Sequence, residues 1–530
     1  MRLGLALLVS AAAFGLFAAV AGAQTRPPQQ PLRVMIISHF TVAELARLEH
    51  RGAVGLLVPA VGPTVNRREA LAALVRGAVK NARMGGVPPG PPVIAATAPS
   101  GFPTRGERLI IVALPPKGRP VLNDRRYPIA VIGMGYHGLL VSRTTRIPGV
   151  VSVADIAPTA TSRSGKMLLS KPMPRAAAAA TRIEARIDAN NQLKLPALIA
   201  VLVLVGLLAI LRPRAALPAL PAALLGNLAL GVVGPTTVSL LIGTICLSTV
   251  AGGLALERLC RTEDRLLALF AIVIGAYLVA MAVDPTWVAI NPLGPTQNSR
   301  FFGIGNQVET LLLAPVLAGA ALAGRRFGVI GFIGFALLGL VTVADNSFGA
   351  DGGGAVVLAV GLAVLGSRLA RLRLRGMIAL LTTTVACVIG LFWFDQRSGA
   401  PNHLQSAFSH GFSGLLAVAR DRLPLAYEPA FHQWTFIGPF LLSFVVVAIV
   451  ALRTWQTPGR RDVLVATVAA LVTSLLVNDS AAYELVAGVT TLVAVGCSSF
   501  AFGPLRRPVL ANPFSVPAPS RLAPETPAAD

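Results

Sequence analysis

Asn291-Pro-Leu-Gly-Pro-Thr-Gln-Asn-Ser-Arg300-Phe-Phe-Gly-Ile-Gly-Asn306-Gln-Val-Glu309 is a polar, glycine-rich stretch set between two long apolar segments. Beside hydrocarbon such residues are costly unless they line a polar cavity or pack against protein, because nothing there solvates backbone or charge. Two later stretches have the same character, Asp345-Asn-Ser-Phe-Gly-Ala-Asp351-Gly-Gly-Gly354 and Asn478-Asp-Ser-Ala-Ala-Tyr-Glu484. All three are candidate site segments within one membrane domain.

The composition requires a membrane protein. The 530 residues are 54% hydrophobic and only 13% charged, too apolar for a soluble chain of this length. Between residues 196 and 503 we read about eleven apolar segments, each near the ~20 residues that a helical crossing needs, among them 196–211, 303–323 and 327–344. If the chain starts outside, each inner connector carries arginine, from Arg212 and Arg214 through Arg325 and Arg326 to Arg506 and Arg507, as the positive-inside rule demands. This places the three polar stretches at the outer face and the Pro-rich tail, residues 504–530, disordered in the cytoplasm. The inner connectors hold no phosphate-cradling glycine loop with lysine.

Residues 1–23 read as a secretory signal, with Arg2, an apolar run from Leu3 to Val20 and Ala21-Gly22-Ala23 before Gln24; an uncleaved anchor is the alternative. Either exports residues 24–174. Lys and Arg outnumber Asp and Glu by 24 to 8 between Gln24 and Lys194, so an anionic neighbour is expected. In the envelope of a bacterial plasma membrane that means lipid head groups or a phosphate-bearing polymer rather than nucleic acid. None of the four cysteines lies in this segment, which excludes an internal disulfide. Apolar runs at Arg33–Ser38, Ala53–Val58, Leu109–Leu114 and Ile129–Gly133 alternate with helical patterns at Val42–Leu48 and Arg67–Asn81. That order predicts an α/β domain with a parallel-type sheet. Residues 175–195 read as a helical stalk leading into an all-α polytopic domain.

His137-Gly138 followed by Asp155-Ile-Ala-Pro-Thr159 resembles the order of motifs in the alkaline phosphatase and sulfatase superfamily. The resemblance covers the 24–165 region and implies a phosphatase-like α/β domain with two divalent metals. His137 and Asp155 are the weak metal candidates that it offers. The first strand, however, ends in Ser38-His39, and Asp124, Asp155 and Asp188 are the only aspartates between Gln24 and Lys194, so the resemblance implies a degenerate, non-catalytic relative. The polar stretches in turn resemble those of uncharacterised bacterial membrane proteins that carry such a domain, which adds architecture but no activity.

For the membrane domain we expect Glu309, Asp351 and Asp479 to act as base or metal ligand and Arg300, Asn306 and Asn478 to bind substrate; a divalent cation is a candidate cofactor. Asn306 and Glu309, three apart, share a helical face. Ordinary turn chemistry suits the same residue types. A connector from Asp395 to His432, with Leu404, Phe408, Phe412 and Leu415 at helical spacing, reads as a helix in the outer interface. Two functions fit: handling of a lipid-linked or phosphate-bearing envelope substrate at the outer face, or transport with a carboxylate ion-coupling site. A non-catalytic envelope scaffold is the third.

Overall fold

The computed structural model describes residues 33–77, 95–97, 109–161, 168–384, 427, 434–454 and 458–498, apart from residues 38, 134, 299, 346, 347, 350, 351, 383 and 479. The signal, the tail and nearly all of the connector 395–432 therefore lie outside the described residues, as do Asp351 and Asp479.

The apolar runs of the first region become strands whose two faces are both covered. The strands are β1 (Arg33–Ile36), β2 (Gly52–Val58), β3 (Thr64–Val65), β4 (Ala95–Thr97), β5 (Leu109–Val112), β6 (Val121–Leu122), β7 (Tyr127–Ile132), β8 (Gly138–Val141), β9 (Val150–Ser152) and β10 (Leu169–Lys171). Side chains alternate strictly between faces. Ile110, Val112, Ile129 and Val131 enter one core with α2 (Arg67–Arg76) and α3 (Ile156–Ala160), while Leu109, Ile111, Ala130 and Ile132 enter the other with α1 (Leu45–Leu48). The order is β10-β8-β2-β7-β5-β1-β4, with β9 also on β2, and β3 pairs β6 separately.

The sheet is mixed, which corrects the expected parallel type. β1 runs parallel to β4 and β5, and β2 to β8 and β9, but β7 is antiparallel to both β2 and β5, and β10 to β8. Between β5 and β7 the chain carries Pro115, Pro116, Lys117, Gly118 and Arg119 instead of a crossover helix, so it turns back on itself. A strand buried on both faces is apolar throughout in either direction, and its run carries no sign of which way it points.

Stalk and first crossing form one unbroken helix, α4 (Ala176–Leu211). Its first turns belong to the α/β domain: Ala176, Ala177 and Ala180 lie in one core and Ile187 in the other. Arg126 of the strand β7 side also binds Glu184 at 2.8 Å and Asp188. The chain continues through α5 (Pro213–Val233), α6 (Val238–Leu259), α7 (Glu263–Val283), α8 (Thr286–Ala289), α9 (Asn306–Ala344), α10 (Gly352–Leu369), α11 (Trp434–Thr454), α12 (Pro458–Val477) and α13 (Ala481–Gly496). Among the described residues six of these, α4–α7, α9 and α10, are long and apolar enough to cross a membrane; eleven crossings are not established. Helix α9 breaks at Gly328 (φ 68°, ψ −154°). Gly319 abuts Phe335 and Gly339 abuts Val316, residues that a straight helix rising ~1.5 Å per residue would hold far apart. The two arms therefore run antiparallel and correspond to the apolar segments 303–323 and 327–344. Small residues let other helices approach closely, Gly226 against Ser248 and Gly253 against Ala219. Val203, Leu207, Ile272 and Val279 point outward, as a lipid-facing surface requires.

Gly138, at the start of β8, has φ +80°, and a Cβ there would stand 2.2 Å from the Lys171 carbonyl oxygen. Gly138→Ala is expected to destabilise the α/β domain by about 2–4 kcal/mol through backbone strain and displacement of β10, read as a lowered unfolding midpoint of the purified full-length protein by limited proteolysis.

Candidate functional site

The polar stretch between α8 and α9 folds as a buried loop because side chains of the stretch and of neighbouring helices satisfy its backbone and that of α8. Asn291 accepts from Asn227 at 2.9 Å and donates to the Trp287 and Val288 carbonyls, while Gln297 donates to Ala289 and Pro295. Lys194 of α4, only 5% exposed, reaches the Gly294 and Pro295 carbonyls at 2.6 and 3.1 Å. Arg300 donates to the Ile304 carbonyl at 2.5 Å.

The α/β domain sits directly on this loop. The Gly62 amide donates to the Asn298 carbonyl at 2.8 Å, Asn298 donates back to the Asn123 carbonyl at 2.9 Å, and Arg146 stacks on the Phe302 ring at 3.9 Å. Ala289, Ile290 and Phe301 are part of the domain's own core. Burial of these apolar groups outside the bundle explains why Phe301 and Phe302 occur in an otherwise polar stretch.

At the loop's end the three polar stretches meet. The Ile304 amide donates to the Gly349 carbonyl at 3.0 Å, and Gly303, at φ +83°, leaves room for that carbonyl. Gly354 packs so closely on Glu309 that a Cβ would stand 2.6 Å from the carboxyl carbon. From the third stretch, Asn478 donates to Glu309 at 3.4 Å and to Ser474 at 3.1 Å. Ser474 in turn donates to Glu484 at 2.6 Å. Ser480 donates to Glu484 at 2.8 Å, and Asn306 crosses from α9 to reach both Ser480 at 2.7 Å and Glu484 at 2.8 Å. Thr491 ties α13 to the Thr310 carbonyl at 2.9 Å.

The result is one hydrogen-bonded network holding two carboxylates, Glu309 at 1% and Glu484 at 0% exposure. Each lies in the first turn of its helix, where the helix dipole and free amides favour negative charge. The network contains Asn306, Glu309 and Asn478 of the expected residues. Arg300 is bonded within its own loop, and Asp351 and Asp479 lie outside the described residues beside Gly352 and Asn478.

Sequence reasoning missed Ser474, Ser480 and Lys194. Ser474 of α12 and Asn478 just past its end are four apart, a helical spacing that could have signalled a shared polar face; Lys194, one basic residue before an apolar segment, looks like any snorkelling anchor.

His137 and Asp155 have ordinary structural surroundings. Asp155 is buried and accepts from Ser142 at 2.6 Å, Thr144 at 2.5 Å and the Ser152 amide at 2.9 Å, capping the turn into α3. His137 is exposed, and its amide donates to Ser170 at 3.3 Å. Nearby Tyr136, its hydroxyl pushed up by burial, stays neutral and donates to the Leu168 carbonyl at 3.0 Å. Among the described residues no three His, Cys, Asp or Glu side chains are grouped to hold a metal ion.

The chain matches no protein-family model, no curated protein and no solved structure.

Because Asn306 and Ser480 touch side chain to side chain, an Asn306→Cys, Ser480→Cys pair in a background lacking the native cysteines is expected to form a disulfide under mild oxidation. A protease cut between α9 and α13 then leaves the fragments joined until reduction; fragments that separate without reductant would contradict the junction.

Proposed function

We propose that this chain is a multi-pass protein of the bacterial plasma membrane that moves a lipid-linked or phosphate-bearing envelope molecule at the outer face. In this reading the Glu309–Glu484 network is its ion-coupling site. The carrying observation is the buried network itself, two carboxylates joined through Asn306, Asn478, Ser474 and Ser480 at helix N-termini and glycine-rich breaks. Two carboxylates in one such network need compensation from a proton, a cation or a guanidinium, and exchange of that compensation is what ion coupling uses.

Burial favours this over the enzymatic reading of the same residues. A base acting on a bulky envelope substrate must meet it, whereas Glu309 and Glu484 are closed off beneath the loop. In this reading Arg300 is the residue that meets the anionic cargo. The excess of Lys and Arg over Asp and Glu in the exported segment supports an anionic cargo. Eleven crossings, an extracytoplasmic α/β domain of degenerate phosphatase-like type and a cytoplasmic C-terminus complete the proposal.

Two experiments bear on it. With Lys117→Cys on the exposed β5–β7 connection and Arg261→Cys on the exposed α6–α7 connection, an impermeant thiol reagent added to intact cells should label the first and spare the second; the reverse pattern would invert the topology. In proteoliposomes, translocation of a fluorescent phosphatidylglycerol or polyprenyl phosphate should depend on an imposed proton or sodium gradient. Glu309→Gln and Glu484→Gln should each lower it at least about tenfold, the equivalent of roughly 1.4 kcal/mol of coupling, and unaltered rates in both variants would refute ion coupling there.

A further inference from the structure

Lys194 is a buried amine, 5% exposed, whose hydrogen bonds go to the loop carbonyls of Gly294 and Pro295 and not to the carboxylate network. We propose that it is a positioning residue, the pin through which helix α4, and with it the α/β domain, sets the placement of Asn306 and Glu309. The inference rests on the reading of that network as a working site.

The geometry forms a continuous chain of contacts. Arg186, Asn190 and Lys194 follow one another at four-residue spacing on α4, one helical face. All three donate to backbone carbonyls: Arg186 to Gly231 at 2.9 Å and to Ile290 at 3.4 Å, Asn190 to Arg186 at 2.7 Å, and Lys194 to Gly294 and Pro295. The Gly294–Pro295 turn held by Lys194 is the surface against which Gly305 lies, since a Cβ on Gly305 would stand 2.9 Å from the Pro295 nitrogen and 3.3 Å from the Gly294 carbonyl carbon. Gly305 is the N-cap of α9, and its carbonyl accepts the Glu309 amide at 3.0 Å. One residue on is Asn306, the bridge to Glu484.

At its other end α4 is part of the α/β domain. Ala177 donates its amide to Glu49 at 2.9 Å, Ile187 is in the domain core, and Arg126 grips Glu184 and Asp188. A displacement of the domain therefore moves Lys194, and Lys194 carries the turn on which α9 begins.

Burying an amino group is expensive unless it is hydrogen-bonded, and among the described residues the partners of Lys194 are the Gly294 and Pro295 carbonyls; an apolar side chain would pack the same space but hold neither. The Lys194 Nζ donates two bonds at once to the carbonyls of adjacent residues, and this clamps a turn that contains glycine and proline, adding to the bonds from the Gly294 amide to Asn291 and from Gln297 to Pro295.

The test measures the carboxylates rather than the lysine. Among the described residues, Tyr483 precedes Glu484 on α13, and Tyr427 lies close enough that burial and the charge of Glu484 push its hydroxyl up. Full-length protein in lipid nanodiscs is treated with dicyclohexylcarbodiimide, which modifies protonated buried carboxyls, and peptides containing Glu309 and Glu484 are quantified by mass spectrometry between pH 5 and 9. Wild type should label at one or both, with loss of the signal in the matching Glu→Gln variant. In Lys194→Met the network opens to water, so the midpoint of the pH profile falls by about one unit or more, while hydrogen exchange in β2, β5 and β7 stays at the wild-type level. If Lys194→Met does not fold, Lys194→Gln, which keeps a shorter neutral donor, carries the same comparison. A variant profile that superimposes on wild type overturns the pin and leaves the network reading intact. Absence of labelling in wild type at every pH overturns the network reading, and the pin with it.

Discussion

Polar groups enclosed in an apolar bundle must satisfy one another, and the junction of loops at the start of α9 is where this chain meets that constraint. Glu309 and Glu484 lie on helices that are distant in sequence, yet each is held by a residue from another helix, Glu309 by Asn478 and Glu484 by Asn306 and Ser474. Because unpaired polar atoms in low dielectric cost more than their bonds return, breaking one such bond leaves the next partner exposed to the same penalty. The placement of α9, α10, α12 and α13 at this end of the bundle follows from that mutual need as much as from apolar packing. Glycine completes it: at Gly354 any side chain would occupy the space of the Glu309 carboxylate.

The same constraint explains why the α/β domain does not hang from a flexible tether. Helix α4 has its first turns in the domain and its later turns in the bundle core, so it cannot bend between them without exposing apolar surface on one side. The domain then completes the burial of Ile290 and Phe301, which the bundle leaves uncovered. With about 25 cal/mol for each Å² of apolar surface removed from water, two such side chains contribute a few kcal/mol to docking. The Asn298 exchange with Gly62 and Asn123 fixes its orientation.

How much of this was legible follows from where each signal resides. Strand positions were readable because burial on two faces gives unbroken apolar runs, but strand direction was not, since that is decided by the Pro115–Arg126 return and not by the strands. The turn inside α9 was readable from Arg325 and Arg326 interrupting the apolar pattern. The separateness of stalk and crossing was misread, because Pro196 at the expected boundary is accommodated within α4. In the site, Asn306, Glu309 and Asn478 stood out as polar residues in apolar surroundings. Their pairing did not: Asn306 and Ser480 are 174 positions apart, and local spacing holds no record of such a contact. Ser474 and Lys194 were hidden for a related reason, since a hydroxyl in a helix and a lysine at its membrane end have common structural uses.

The arrangement also bears on how a charge change could be transmitted. Asn306 is both the first residue of α9 and a donor to Glu484, and Asn478 is both the residue that follows α12 and a donor to Glu309. An amide can rotate to exchange donor for acceptor, so neutralising one carboxylate alters what its amide partner prefers, with no need for a helix to unfold. Each amide is anchored at a helix terminus, where small backbone adjustments are cheapest because the terminal N–H and C=O groups lack intrahelical partners. The preference of Glu484 is thereby delivered to the start of α9, which carries Glu309, and that of Glu309 to the C-terminal end of α12, the helix before the one that carries Glu484. Acids in the first turns of two helices and amides at helix termini thus share one network, and the loop beside it is held between Lys194 and the α/β domain.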